Sequence, residues 1–333
     1  VLGEQMLVFA NRHRSVGGFL DGVCERFGTN EFLILGDVRL TYAEVHERVN
    51  AIGERLVNHG IGPGDRVAIL EANRPEWVLT FLATVRIGGI VAALNGWGTA
   101  AELDHAITLS EPSLVVGDTR RLARASGFPP GVEVIDMDAE PDFFSPSVDA
   151  ADLAVPIDED DPALILFTSG TTGRAKGALI SHRSIVGFVD GTLHNATEKK
   201  RVALEFLGID PATIPDQRQI VLNTSPLFHL SGLVAGVLMP AGEGNTVVFR
   251  EGRFDPADVL RLIEEERITS WTAIGSMGPS VMTHPDLATR DTSSLTRMSS
   301  GGAHLSEHMQ QQIRTHFPQA AAAIGQGYGS SES

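Results

Sequence analysis

Cysteine is nearly absent: Cys24 is the single one in 333 residues, so no disulfide can form within the chain. That scarcity fits a reducing compartment, and a cytoplasmic location is the expectation. Cys24 lies in "LDGVCERF", which reads as helix, where packing rather than reactivity is the usual fate of a lone thiol. Positive charge is also short. Lys and Arg number 26 against 42 Asp and Glu, for a formal net charge of −16 at pH 7. The densest basic stretch, Glu198 to Arg201, reads as a solvated helix end. No basic cluster offers itself to a nucleic acid, so none is expected as a partner. No apolar run has the length of a membrane span. The longest, "GLVAGVLMPAG" (Gly232 to Gly242), is broken by Pro240 and reads as core. Repeats of fixed period and low-complexity tracts are missing as well. The chain opens at Val1 and ends in "SSES" without an obvious closing element, so it is expected to be a piece of a longer polypeptide whose leader stays an open question.

What is present is ordinary globular material, 42% hydrophobic and 20% charged, with length for about two domain-sized units. Helical and strand patterns alternate. "LTYAEVHERVNAIGERLVNHGIGPGD" reads as a helix with both ends marked: Thr41 and Glu44 form a capping box, Val45, Val49, Ile52 and Leu56 share a face, and Gly60 is a left-handed stop. "RVAIL" is a short buried strand, and "RPEWVLTFLATVRIGG" is a helix with Pro75 in its first turn. "IVAAL" and "SLVVGD" are strands on either side of a helix opened by Thr99 and Glu102. Gly127 to Asp161 reads as a connecting region with one strand, "VEVID". "PALILF", "QIVLNT", "NTVVF" and "SWTAI" read as later strands, "PADVLRLIEEERI" and "SEHMQQQIRTHF" as later helices, and "QAAAAIGQGYG" as a strand and turn. Strands alternating with helices predict an α/β fold with a doubly wound, mostly parallel sheet, and the later strands predict a second sheet.

The stretch that carries chemistry is "LFTSGTTGRAKG", Leu166 to Gly177. Glycines admit close backbone approach, and hydroxyls and a lysine suit a phosphate. An acidic chain must hold a polyphosphate locally in this way, with backbone N–H groups, a lysine and a bound cation. The pattern G-x-x-x-x-G-K-[ST] does not fit. From Gly170 the chain reads G-T-T-G-R-A-K-G, so Ala175 replaces the second glycine and Gly177 replaces the metal-binding hydroxyl. The dinucleotide pattern G-x-G-x-x-G is absent from the loop too. A flexible surface loop is the plain alternative, but the strand "PALILF" leads straight into the motif, as a phosphate loop requires.

"FTSGTTGRAKG" closely resembles the signature of the adenylate-forming superfamily, which includes acyl- and aryl-CoA synthetases, beetle luciferases and adenylation domains of peptide synthetases. Further blocks resemble the family's in its order: "LTYAEVHERVNAIGERLVNHGIGPGDRVAIL", "RIGGIVAALN" with "TAAELDHAI", "SPLFHLSGL" (Ser225 to Leu233), "SSGGAHLSE" (Ser299 to Glu307) and "GQGYGSSES" (Gly325 to Ser333). The resemblance is strongest to an acyl-CoA synthetase. It implies two doubly wound, mostly parallel sheets with flanking helices. Together these would form an incomplete large N-terminal adenylation domain over 1–333, with the C-terminal lid domain absent. Its subdomains would be 60–220, with the phosphate loop, and 15–59 plus 221–333.

The chemistry so implied is ATP-dependent activation of a carboxylic acid to acyl-AMP with pyrophosphate release, then transfer to the thiol of CoA. By the same resemblance, Thr168, Ser169, Gly170, Thr171, Thr172 and Gly173 cradle the β- and γ-phosphates, and Lys176 adds a point charge. Proline is usual before that lysine; here it is Ala175. Glu332 would bind Mg²⁺, and Ser331, where threonine is usual, would reach the α-phosphate. Tyr328 would stack on adenine beside Gly329, against a backbone wall of Gly301, Gly302 and Ala303. His229, Leu230, Ser231 and Gly232, with Trp271, Ala273, Gly325 and Gly327, would line the acyl pocket. Thr172, Lys176, His229 and Glu332 are the residues expected to be catalytic.

Peptide-synthetase members of the superfamily place an aspartate in the block that "SPLFHLSGL" resembles, to hold an α-amino group; none is present here, and "SWTAIGSM" and "GLVAGVLM" are small and apolar, so a fatty or other hydrophobic acid is the first choice and an aryl acid the second. Other acceptors, such as a carrier protein or oxygen, stay open, as do a non-catalytic nucleotide-binding homologue and a homodimer. His304 and His308 are four apart like zinc ligands, but His304 precedes the expected helix cap Ser306, so a transition-metal site is not expected. A ribose-binding aspartate and a catalytic lysine are expected beyond Ser333, so the isolated 333 residues should be nearly inactive.

Overall fold

The computed structural model describes residues 8–147, 153, 155–168, 174–210, 217–302 and 305–327. In chain order its strands are β1 (Glu31–Leu35), β2 (Val38–Thr41), β3 (Arg66–Leu70), β4 (Ile90–Ala93), β5 (Leu114–Gly117), β6 (Glu133–Asp136), β7 (Pro162–Thr168), β8 (Lys176–Ser181), β9 (Ile220–Leu222), β10 (Thr246–Val248), β11 (Ser270–Ile274), β12 (Arg297–Gly301) and β13 (Ile324–Gly327). They form two sheets, and the chain divides into two compact units.

The first unit holds Val1–Thr29, Thr41–Ala72 and Glu76–Gln217. Its six-stranded sheet runs β6-β5-β3-β4-β7-β8. Every neighbouring pair is parallel except β7 with β8, which is antiparallel. Strands β4 and β5 are buried at every position, the signature of a parallel sheet covered on both faces. The Ala100–Ser110 helix lays Leu103, Ala106 and Ile107 on Ala68, Leu70, Ala92, Leu94 and Val115. Both expected capping boxes form, Thr41 with Glu44 and Thr99 with Glu102. Gly60 takes φ +80°, and the Ile61 N–H closes the helix end on Leu56 O at 3.0 Å.

The second unit holds Asn30–Leu40, Asn73–Pro75 and Arg218–Ser333. Of the stretch 15–59, only the β1–β2 segment contributes to it. The amphipathic Tyr42–Asn58 helix belongs to the first unit, where it packs on the Val16–Phe27 helix. The seven-stranded sheet runs β13-β12-β11-β9-β10-β1-β2, with parallel pairing from β13 through β1. Its core centres on Trp271, which is fully buried with Ile263, Ile268, Val281, Leu295 and Met298.

Most expected elements are present to within a few residues. The hairpin strands β1 and β2, strand β8 and the His182–Phe206 helix are additions. "GLVAGVLMPAG" is buried at Val234, Val237 and Leu238 as expected, but it is helical with a π turn over Val234–Leu238. The Met239 N–H bonds Val234 O, five residues back. Pro240, which has no N–H to give, follows at once.

Candidate active site

The phosphate motif in the first unit sits at the mouth of a β-hairpin. Strand β7 is anchored by buried Ala163, Leu164 and Leu166 and pairs with β4 on one side and β8 on the other. The ladder with β8 runs from Pro162 opposite Ser181 to Thr168 opposite Lys176. The two arms of the motif, ending at Thr168 and starting at Lys176, therefore meet in one antiparallel pairing. Directly opposed residues of such a ladder point to the same face, so the Thr168 and Lys176 side chains leave the ladder on one side. Lys176 is exposed. A Cβ on Gly177 would meet Ile165 Cγ2 at 3.0 Å, so a glycine lets the two arms close just below the mouth. The motif is followed by a strand, β8, whereas the common nucleotide motif is followed by a helix. Ser169, Gly170, Thr171, Thr172 and Gly173 lie outside the described residues.

Sequence reasoning passed over one partner of this loop. His105, on the Ala100–Ser110 helix, has Nε2 2.9 Å from Ala175 O. A carbonyl oxygen only accepts, so Nε2 carries the proton and donates. The contact joins residues 70 apart, and no local pattern announces it.

In the second unit, "SPLFHLSGL" is folded by two asparagines that also went unnoticed. Asn73 Nδ2 donates to Ser225 O at 2.6 Å, while Asn73 Oδ1 accepts from the Leu227 N–H at 3.0 Å. Buried Asn223 donates to Gly232 O at 2.9 Å and accepts from the Ser225 N–H at 3.1 Å. Gly232 has no room for a side chain: a Cβ there would sit 2.0 Å from Pro226 O. The segment is thus a tight turn into the Leu230–Leu233 helix, with extended His229 as its N-cap residue. The His229 ring is exposed on one side and rests on Phe228, centroids 4.6 Å apart. Desolvation by the protein on its inner side lowers its pKa below the usual histidine value, favouring the neutral ring. Leu230 is half-buried, Ser231 is exposed and Gly232 is buried.

The same unit presents the glycines expected around adenine and the acyl group. Ile274, Gly301 and Gly327 stand in register across β11, β12 and β13, as do Thr272, Ser299 and Gly325. These residues share one face of the sheet. A Cβ on Gly301 would come within 2.6 Å of Ile274 Cδ1, and one on Gly325 within 2.7 Å of Ser299 Oγ. Gly302 takes φ +73° at the end of β12.

Trp271 and Ala273, expected in the acyl pocket beside Gly325 and Gly327, lie on the opposite face. The strand alternation turns them into the core, and Trp271 Nε1 donates to Thr224 Oγ1 at 3.1 Å. Ala303, Tyr328, Gly329, Ser331 and Glu332 lie outside the described residues, as does His304. Ser306 caps the Glu307–His316 helix as expected, accepting from the Met309 N–H. Among the described residues no group of three metal-ligating side chains occurs, and no helix is long and apolar enough to cross a membrane.

A profile of the AMP-binding enzyme family matches residues 20–333, and the chain belongs to that family. It is 30% identical over 304 residues to 4-coumarate–CoA ligase CCL1 of Humulus lupulus, covering 88% of this chain and 53% of that protein. It is 30% identical over 301 residues to the feruloyl-CoA synthase of an Amycolatopsis species, with coverage of 89% and 55%. The chain thus spans about half the length of these curated relatives. Among solved structures, the inhibitor-bound N-terminal domain of FACL13 from Mycobacterium tuberculosis superposes with a TM-score of 0.79 at 25% identity, over 96% of this chain and 77% of that one. The Klebsiella oxytoca NpsA N-terminal subdomain, complexed with 3-hydroxybenzoyl-AMSN, gives a TM-score of 0.74 over 96% and 73% at 21% identity, a likeness of fold alone. The family resemblance and the paired α/β sheets it implied both hold.

Proposed function

We propose that this chain is the nucleotide- and acid-binding part of an acid–thiol ligase that activates a hydrophobic carboxylic acid with ATP and passes it to CoA. The family match together with the "FTSGTTGRAKG" hairpin is the observation that carries this reading. In the first step a carboxylate oxygen bonds to the α-phosphorus, the bond to the pyrophosphate oxygen breaks, and acyl-AMP forms. In the second, the CoA sulfur bonds to the acyl carbon and AMP departs with its oxygen.

Both partners of the first step are anions, so binding must hold them together and spread the charge. Thr168 to Gly173 and Lys176 do this for the β- and γ-phosphates, which become the leaving group. His229, whose desolvation favours the neutral ring, meets the acid. Gly301, Gly302 and Ala303 with Tyr328 and Gly329 take the adenine, Ser331 reaches the α-phosphate, and Gly325 and Gly327 give the acid room. Glu332 and the phosphate oxygens make the donor set that Mg²⁺ favours, one carboxylate plus substrate phosphates. Bound there, the ion would neutralise phosphate charge.

For the acid, the names of the two 30% relatives favour an aryl substrate of the 4-coumarate or ferulate kind, while the small and apolar stretches "SWTAIGSM" and "GLVAGVLM" keep a fatty acid as the second reading. The test supplies the natural full-length protein with ATP, Mg²⁺ and CoA and a panel of aryl, fatty and amino acids. The expected products are AMP, pyrophosphate and one class of CoA thioester. Release of ADP, or ATP use indifferent to every acid, overturns the reading.

A further inference from the structure

We propose that His105 is a positioning residue for the phosphate loop. Its Nε2–H bond to Ala175 O fixes the arm of the loop that delivers Lys176. The inference rests on the reading of Leu166–Gly177 as the grip on the leaving pyrophosphate.

Among the described residues, strand β8 is the edge of its sheet, paired with β7 alone. Lys176, Gly177 and Leu179 are exposed and the other β8 residues are only half-buried, so burial does little to hold this arm. Ala175 lies one residue before the ladder begins. Without a further tie the chain from Ala175 back into the loop would hang on the single Thr168–Lys176 pairing. His105 supplies that tie at the last residue before the lysine. The tie starts from a rigid base. Leu103, Ala106 and Ile107 on either side of His105 are buried on the sheet, and a complete capping box fixes the first turn of the helix. His105 itself is half-buried, which shields the bond from competing water. An ammonium must meet a phosphate within a fraction of an ångström to count in the transition state, so slack at Ala175 is slack at Lys176.

The test uses the natural full-length protein. His105→Phe keeps a ring and removes the donor; His105→Gln keeps an N–H at similar reach. ATP–pyrophosphate exchange gives KM for ATP, pyrophosphate and acid separately, and calorimetry gives the Kd for inorganic pyrophosphate without turnover. His105→Phe is expected to raise the ATP and pyrophosphate KM and the pyrophosphate Kd by roughly three- to tenfold, the scale of one lost hydrogen bond. The acid KM and Tm should stay at wild-type values, and His105→Gln should restore most of the loss. Wild-type ATP and pyrophosphate constants in His105→Phe overturn the proposal. So does a loss shared equally by acid and nucleotide together with a lowered Tm, the mark of a purely structural histidine. A wild-type protein that binds pyrophosphate yet shows no exchange fails the ligase reading while leaving the binding comparison decisive for His105.

Discussion

His182 begins the His182–Phe206 helix fully buried, with Nδ1 accepting from the Val16 N–H at 3.2 Å. Its Nε2 finds no partner among the described residues. Desolvation lowers its pKa from 6.5 to about 4, against a weaker upward pull from Asp161. Between these values the unfolded chain holds a proton that the folded one does not, so stability rises with pH through the window. The contribution of the neutral ring is complete above pH 6.5 and is lost as pH falls toward about 4. That displacement corresponds to about 3 kcal/mol. Denaturant unfolding of His182→Phe between pH 6.5 and 4 should show a shallower loss of stability than wild type; an unchanged slope would assign the pH dependence elsewhere. Trp271 gives a second test at this scale. As a core residue, Trp271→Phe should cost about 1–3 kcal/mol, from a smaller ring and an unpaired Thr224 hydroxyl, and leave the acid KM unchanged. A shifted acid KM at wild-type stability would return it to the pocket. The motif residues were legible because their types and spacing state a chemistry. Asn73, Asn223 and His105 were not, because an ordinary polar side chain acquires its role from a partner that only the fold brings near. The Asn73–Ser225 bond, for one, joins residues 152 apart.

At the level of elements, local physics announces itself where one segment decides the matter. Thr41 and Thr99 with their glutamates, and Gly60 at its left-handed stop, are short-range devices and appear where the sequence puts them. The buried strands β3, β4 and β5 read correctly because parallel strands covered on both faces are continuous apolar runs. Strand β8 escaped because "KGALIS" is an exposed edge strand with no such run, and its pairing with β7 alone makes it a strand. Trp271 shows a related limit: composition names an apolar strand but not which of its residues turn to the core, as Trp271 does. Gly232 tests how tightly one element is built. With a Cβ 2.0 Å from Pro226 O, Gly232→Ala must push apart the turn that carries His229. The expected cost is about 1–3 kcal/mol in denaturant unfolding, with a raised acid KM. Wild-type stability and acid KM would show that the turn yields freely.

Across the whole molecule, the assignment to the AMP-binding family rests on a match over residues 20–333, nearly the whole chain. The hairpin of the Leu166–Gly177 motif belongs to the first unit, and the His229 turn and the glycine face of β11 to β13 belong to the second. In the proposed function the hairpin grips the part of ATP that leaves. ATP–pyrophosphate exchange in the natural full-length protein tests it most directly, comparing wild type with Lys176→Ala. The account predicts acid-dependent exchange in wild type and a fall of at least tenfold in Lys176→Ala, the scale of one charge-assisted contact, with the KM for pyrophosphate raised and that for the acid unchanged. Exchange by Lys176→Ala at the wild-type rate and wild-type pyrophosphate KM would contradict it.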